Sequence, residues 1–135
     1  MPLFDTFGIS GSGVTVYRKW MDAISDNIAN LNTVTATSEN AFQARYVVAQ
    51  AVELSGGEGG VQVAGTALGN PEGRLVYEPD HPLADADGMV RYPDIDLASQ
   101  MTQLMMAQRG YQANLSVVER AKAAYESALT LGRGA

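Results

Sequence analysis

The chain has 135 residues, no cysteine, and 15 Asp plus Glu against 9 Lys plus Arg, for a formal net charge of −6. This length suits one domain, and the lack of cysteine excludes disulfides, thiolate metal sites and thiol catalysis. The acidic balance argues against nucleic acid and against an anionic membrane, which both require clustered basic residues.

The first dozen residues are rich in Gly and Ser and read as a flexible leader over 1–12. They carry no basic segment and no apolar core, so they do not form a secretory signal peptide. No apolar run in the chain approaches the ~20 residues of a membrane span, so direct membrane insertion is not expected. Val14, Tyr17, Met21, Ile24, Ile28 and Leu31 then follow a 3,4,3,4,3 spacing, a heptad-type apolar stripe flanked by Trp20. They predict a first helix from about Gly13 to Leu31. Its end is crowded with Asn27, Asn30 and Asn32, although Asn competes poorly for helical positions.

The middle differs in kind. Gln43–Leu54 and Val61–Gly65 are rich in strand formers, with the turn "SGGEGG" between them. "RLVYE" (Arg74–Glu78) and "MVRYP" (Met89–Pro93) predict two further short strands. "NPEG" (Asn70–Gly73) and "DADG" (Asp85–Gly88) have turn chemistry, with an Asn or Asp to bind the backbone and a Gly for positive φ. Seven acids and two bases fall between Pro71 and Asp96, so most of the net charge lies in this segment.

A second helix is predicted from Asp96, as N-cap, to Leu131, with Gly132 as its stop. Leu97, Met101, Leu104, Tyr111, Leu115, Val118, Tyr125 and Leu129 supply its stripe, and Gln108 and Lys122 interrupt it. At ~1.5 Å per residue this helix is ~50 Å long, against a radius of gyration near ~14 Å for a compact chain of this size. From Leu97 to Val118 the only charged residue is Arg109. Neutral polar faces suit a helix surrounded by other helices, where unpaired charge is costly. The fold class is therefore α+β: long terminal helices pairing in a coiled-coil-like bundle over 13–33 and 95–132, and a small β-rich section over 40–93.

Sites for chemistry are scarce, and neither a catalytic constellation nor a cofactor motif is read. His81, the only histidine, lies in a turn-like stretch with no nucleophile pattern nearby. "SGGEGG" lacks the GK[ST] ending of a phosphate loop. Aligned as a calcium loop, "LADADGMVRYPD" puts Leu83 at the first position, where an oxygen ligand is required. A calcium-dependent binding module is thus a weaker alternative, and a small enzyme built on His81 weaker still.

The stretch "ISDNIANLNT" resembles the N-terminal signature of flagellar rod and hook proteins, roughly "NNIANANT". The run from Ala84 to Arg133 resembles the C-terminal signature of the FlgC family of basal-body rod proteins. It matches in Ala84–Asp85–Ala86–Asp87–Gly88, Tyr92–Pro93, Asp96, Met101, Arg109, Tyr111–Gln112–Ala113–Asn114, Lys122 and Leu131–Gly132–Arg133. The resemblance implies a structural subunit of the proximal rod, the hollow drive shaft between the MS ring and the distal rod and hook, or else another rod-type axial protein. It implies export through the flagellar type III apparatus without a cleaved signal. It also implies self-association and contact with FlgB, FlgF, FlgG, FliE and the MS-ring protein FliF. The residues expected at subunit contacts are Met21, Ile24, Asn27, Ile28, Asn30 and Leu31 on the first helix. On the second they are Met101, Leu104, Arg109, Tyr111, Asn114, Leu115, Val118 and Tyr125. Asn30 or Asn32 is expected to end the first helix in the left-handed conformation, and Asn27 to bond a neighbouring subunit.

Overall fold

Helix α1 spans Pro2–Ala29 in the computed structural model, which describes residues 2–54 and 58–134. It starts eleven residues before the expected Gly13, so the segment expected as a flexible leader is helical from Pro2 onward. Proline suits a first helical position, where its missing N–H is not needed. The Ser and Thr hydroxyls of the Gly-rich stretch bond within the helix: Ser12 donates to the Ile9 carbonyl at 2.6 Å and Thr15 to the Gly11 carbonyl at 3.1 Å. Packing of this segment overrides its weak intrinsic propensity.

Strands β1 (Arg45–Leu54) and β2 (Glu58–Leu68) form an antiparallel ribbon with a bulge between Val48 and Ala49. The tip of the expected "SGGEGG" turn, 55–57, lies outside the described residues. Strands β3 (Arg74–Tyr77) and β4 (Met89–Tyr92) form a second antiparallel pair. Both glycines expected at positive φ adopt it, Gly73 at 58° and Gly88 at 74°. Helix α2 (Leu97–Arg133) is capped by Asp96, whose side chain accepts from the Ser99 amide at 2.8 Å. It runs through the expected stop at Gly132 and ends with Gly134 as C-cap. An exposed glycine with nothing around it does not by itself break a helix.

The layers follow from the contacts. Helix α1 packs on α2 along one side and on β1 and β2 along another. Among the described elements, α2 packs on α1 alone. The β3–β4 pair is tied down by the segment before β1. Thr35 pairs with Arg91 through both backbone groups, at 2.9 and 3.0 Å, extending β4 by one bridge. The Arg91 guanidinium donates to the Thr37 carbonyl at 2.7 Å and to the Glu72 carbonyl. Val90 and Pro93 are fully buried there. The expected α+β class holds: two long terminal helices and two small antiparallel pairs between them.

Candidate assembly interface

The asparagines at the end of α1 take three different roles. Asn27 is 1% exposed. Its amide meets residue 45 as a neighbouring strand would: the Arg45 amide donates to its Oδ1 at 2.7 Å, and its Nδ2 donates to the Arg45 carbonyl at 3.0 Å. The second Nδ2 hydrogen goes to Gln100 Oε1 on α2, also at 3.0 Å. One side chain thus joins α1, β1 and α2, a task that needs two donors and an acceptor on one planar group. This corrects the expectation that Asn27 bonds a neighbouring subunit, because both its hydrogens are used inside the chain. Asn30 does end the helix, but not in the left-handed conformation, since no non-glycine residue among those described has positive φ. Its side chain donates instead to the Asp26 carbonyl at 2.9 Å and accepts from the Thr33 hydroxyl at 3.2 Å. Asn32 is exposed. Beside the joint, Arg45 reaches Asp26 at 2.7 Å, a half-exposed pair of small energetic value.

Two glycines set the spacing of the helices. A Cβ at Gly110 would lie 2.3 Å from the Tyr17 ring, and one at Gly13 would lie 2.6 Å from Asn114 Oδ1. Asn114 in turn donates to the Gly110 carbonyl at 2.8 Å. Each helix therefore presents a glycine to a large side chain of the other. A mid-helix glycine costs about 1 kcal/mol relative to alanine, which is the one signal in the sequence pointing to these two positions. The pairs 13 with 114, 17 with 110 and 27 with 100 run in opposite directions along the two helices, so the helices are antiparallel in a single register.

This register moves half of the expected stripe by one residue. On α2 the buried positions are Gln100, Ala107 and Ala121, with Leu104, Tyr111, Asn114 and Val118 half-buried. The expected Met101, Gln108, Leu115 and Lys122 stand one residue further on and are exposed. On α1, Ser10, Gly13, Val16, Ala23, Ile24 and Asn27 are buried, while Val14, Met21 and Ile28, and Leu31 in the turn that follows, are half-buried. Ile24, 1% exposed, is likewise packed inside the chain. The apolar residues displaced from the seam face outward. Leu97, Met101, Met105 and Leu115 are 45%, 47%, 51% and 37% exposed. They share one flank of α2 with Gln108 and Gln112, without a charged side chain between Leu97 and Leu115 on that flank. Arg109, one turn beyond Met105 at the edge of this flank, is exposed, and Tyr125 is 40% exposed.

The turn residues are occupied with the backbone. Asp85 Oδ1 accepts from the amides of Asp87 and Met89 at 3.0 and 2.9 Å, and its Oδ2 accepts from the Thr37 hydroxyl at 2.9 Å. These bonds, the one from Met89 foremost, hold its carboxyl below the ordinary 3.8. The Tyr92 hydroxyl donates to Glu78 at 2.9 Å, and that bond raises its pKa. His81 Nδ1 accepts from the Leu83 amide at 3.1 Å, again a turn contact. Among the described residues no group of three acidic, His or Cys side chains is placed to hold a metal ion.

The chain is thus a helix pair carrying a small β section, with its polar chemistry spent on holding itself together and an apolar flank left uncovered. Residues 86–131 match the family model described as flagellar basal body rod FlgEFG protein C-terminal, which points to the class of flagellar basal-body rod proteins. Across its whole length the chain is similar to the flagellar basal-body rod protein FlgC of Salmonella typhimurium, 38% identical over 135 residues, covering 98% of this chain and 100% of that one. The corresponding proteins of Escherichia coli and Bacillus subtilis are 37% and 29% identical, at the same coverage of both chains. The chain belongs to the FlgC family. It is a structural subunit of the flagellar basal-body rod, and that rod is where it resides.

Proposed function

We propose that the subunit sits in the proximal rod and assembles side by side with further copies and other rod proteins through the uncovered flank of α2. The observation that carries this reading is the exposure of Leu97, Met101, Met105 and Leu115 on a flank without charge. Solvated helix faces carry Lys and Glu instead, and contiguous exposed apolar surface marks interaction sites. Burying one such side chain contributes about 1.5–3 kcal/mol, and the gain repeats at each subunit. FlgB, FlgF, FlgG, FliE and FliF are the partners this position implies, with delivery by the type III export apparatus. The half-buried Met21, Ile28, Leu31, Leu104, Tyr111, Asn114 and Val118, together with exposed Arg109 and Tyr125, complete the proposed contact set.

The test is Met101→Glu with Met105→Glu, in cells lacking the native gene. Neither side chain holds the monomer together, so circular dichroism and the amount of secreted protein stay normal. Swimming in soft agar falls to the level of the deletion strain. Normal swimming by this double variant overturns the reading.

A further inference from the structure

An antiparallel helix pair with a seven-residue repeat has a problem of its own. Sliding one helix past the other by seven residues, ~10 Å at ~1.5 Å per residue, restores the repeat. In this chain the Gly13 contact does not oppose the slide. Gly13 would move from Asn114 to Ala107 or Ala121, both small residues at seven-residue spacing. Tyr17 would lie opposite Gln103 or Val117. The apolar seam alone does not select one of these arrangements.

We infer that Gln100, with the Asn27 amide and the Gly110 notch, forms a register lock that admits a single pairing of α1 with α2. In the observed register the Asn27 Nδ2 hydrogen that faces α2 is satisfied by Gln100 Oε1 at 3.0 Å, and Gln100 is itself 3% exposed. One heptad away, Asn27 would face Ala107, and a buried donor would lose its acceptor. A single buried polar residue at a seam position selects register in this way. The notch acts in the same direction. Gly110 is where Tyr17 closes on the α2 backbone, with no room for a Cβ, and a slid helix would press that ring onto a full side chain. The lock reaches the β section too, because Asn27 also holds both backbone groups of Arg45. Asn27 therefore ties the start of the ribbon to the same joint that meets α2. Gln100 is a positioning residue: it acts through Asn27.

The lock can be tested on the full-length monomer, independently of assembly. The chain has no cysteine, so spin labels at Lys19→Cys and Ala124→Cys, both exposed, report the helix register by double electron–electron resonance. The parent gives one narrow distance. Gln100→Leu keeps the Asn27–Arg45 bonds and removes only the acceptor on α2; it gives a second population displaced by ~10 Å. Adding Gly110→Ala increases that population. A parent with two distances overturns the inference, as does a single parental distance in both variants. Loss of helical circular dichroism with no second distance in either variant also overturns it, since the contacts would then serve stability alone.

Discussion

Asn27 shows how much can depend on one planar amide. Asn27→Leu strands the Arg45 amide, the Arg45 carbonyl and Gln100 Oε1, and each buried polar group left alone costs about 1–3 kcal/mol. Urea unfolding should show a midpoint well below that of the parent. Asn27→Asp, nearly the same shape, should be no better, because it removes both donors and buries a carboxylate. The glycines separate into two kinds by the same reasoning. Gly110→Ala drives a methyl into the Tyr17 ring, whereas Gly11 has nothing within 4 Å of a built Cβ. Gly110→Ala should destabilise by roughly 1–3 kcal/mol and Gly11→Ala should stabilise by up to about 1 kcal/mol, both read from the same unfolding experiment. Asp85 gives a pH signature. Its carboxyl is held below 3.8 by the Met89 amide and the Thr37 hydroxyl. A depressed acid contributes stability that is present above its unfolded value and is lost as pH falls through its folded one. The contribution of the turn should therefore fade only below pH 3.8, and Thr37→Val should move the Asp85 titration upward by NMR.

At the scale of elements, α2 outruns its support. The contacts that pair 13 with 114 and 17 with 110 put the first residues of α1 opposite the region near 125. Every described residue from Lys122 to Gly134 is exposed. Past residue 125 the helix runs beyond the start of α1 at Pro2, and a helix end with few tertiary contacts has little to hold it. Amide hydrogen exchange in the monomer should be slow across 100–118 and fast across 127–133. The β1–β2 ribbon is the opposite case. Two-stranded ribbons are marginal in water, but this one lies along α1, and Ser12 Oγ accepts from the Val61 amide at 3.1 Å.

For the whole molecule, the question is what drives association. The acidic segment from Pro71 to Asp96 and the basic Arg109 and Arg120 on α2 offer charge pairing, while the flank of Leu97, Met101, Met105 and Leu115 offers apolar burial. The two respond oppositely to salt. Exposed charge pairs are screened by sodium chloride, and apolar burial is strengthened by sodium sulfate. Sedimentation velocity should show association that persists at high sodium chloride and grows in sulfate. Dispersal at high salt would transfer the role to the charges.

The sequence by itself determined the order and type of the elements, because helical and strand periodicities are local properties. It also determined the Asp96 cap and the turns at Gly73 and Gly88, where one residue's own chemistry meets one backbone requirement. The scarcity of reactive side chains and the family signatures at both ends were equally legible. Only the tertiary structure decided which of two adjacent residues faces inward. Gly13 is buried and not Val14, Asn27 and not Ile28, Gln100 and not Met101, Ala107 and not Gln108. Periodicity cannot separate these, since a stripe that meets the chain's own partner helix and one that meets a neighbouring subunit repeat at the same interval. The choice falls to packing distance: where two backbones approach closely, small residues and a fully bonded amide fit, and the larger apolar side chains beside them are turned outward. The same closeness carries α1 through its Gly and Ser residues to Pro2, against their intrinsic preference, because a helix docked along both α2 and a ribbon does not need propensity to hold it.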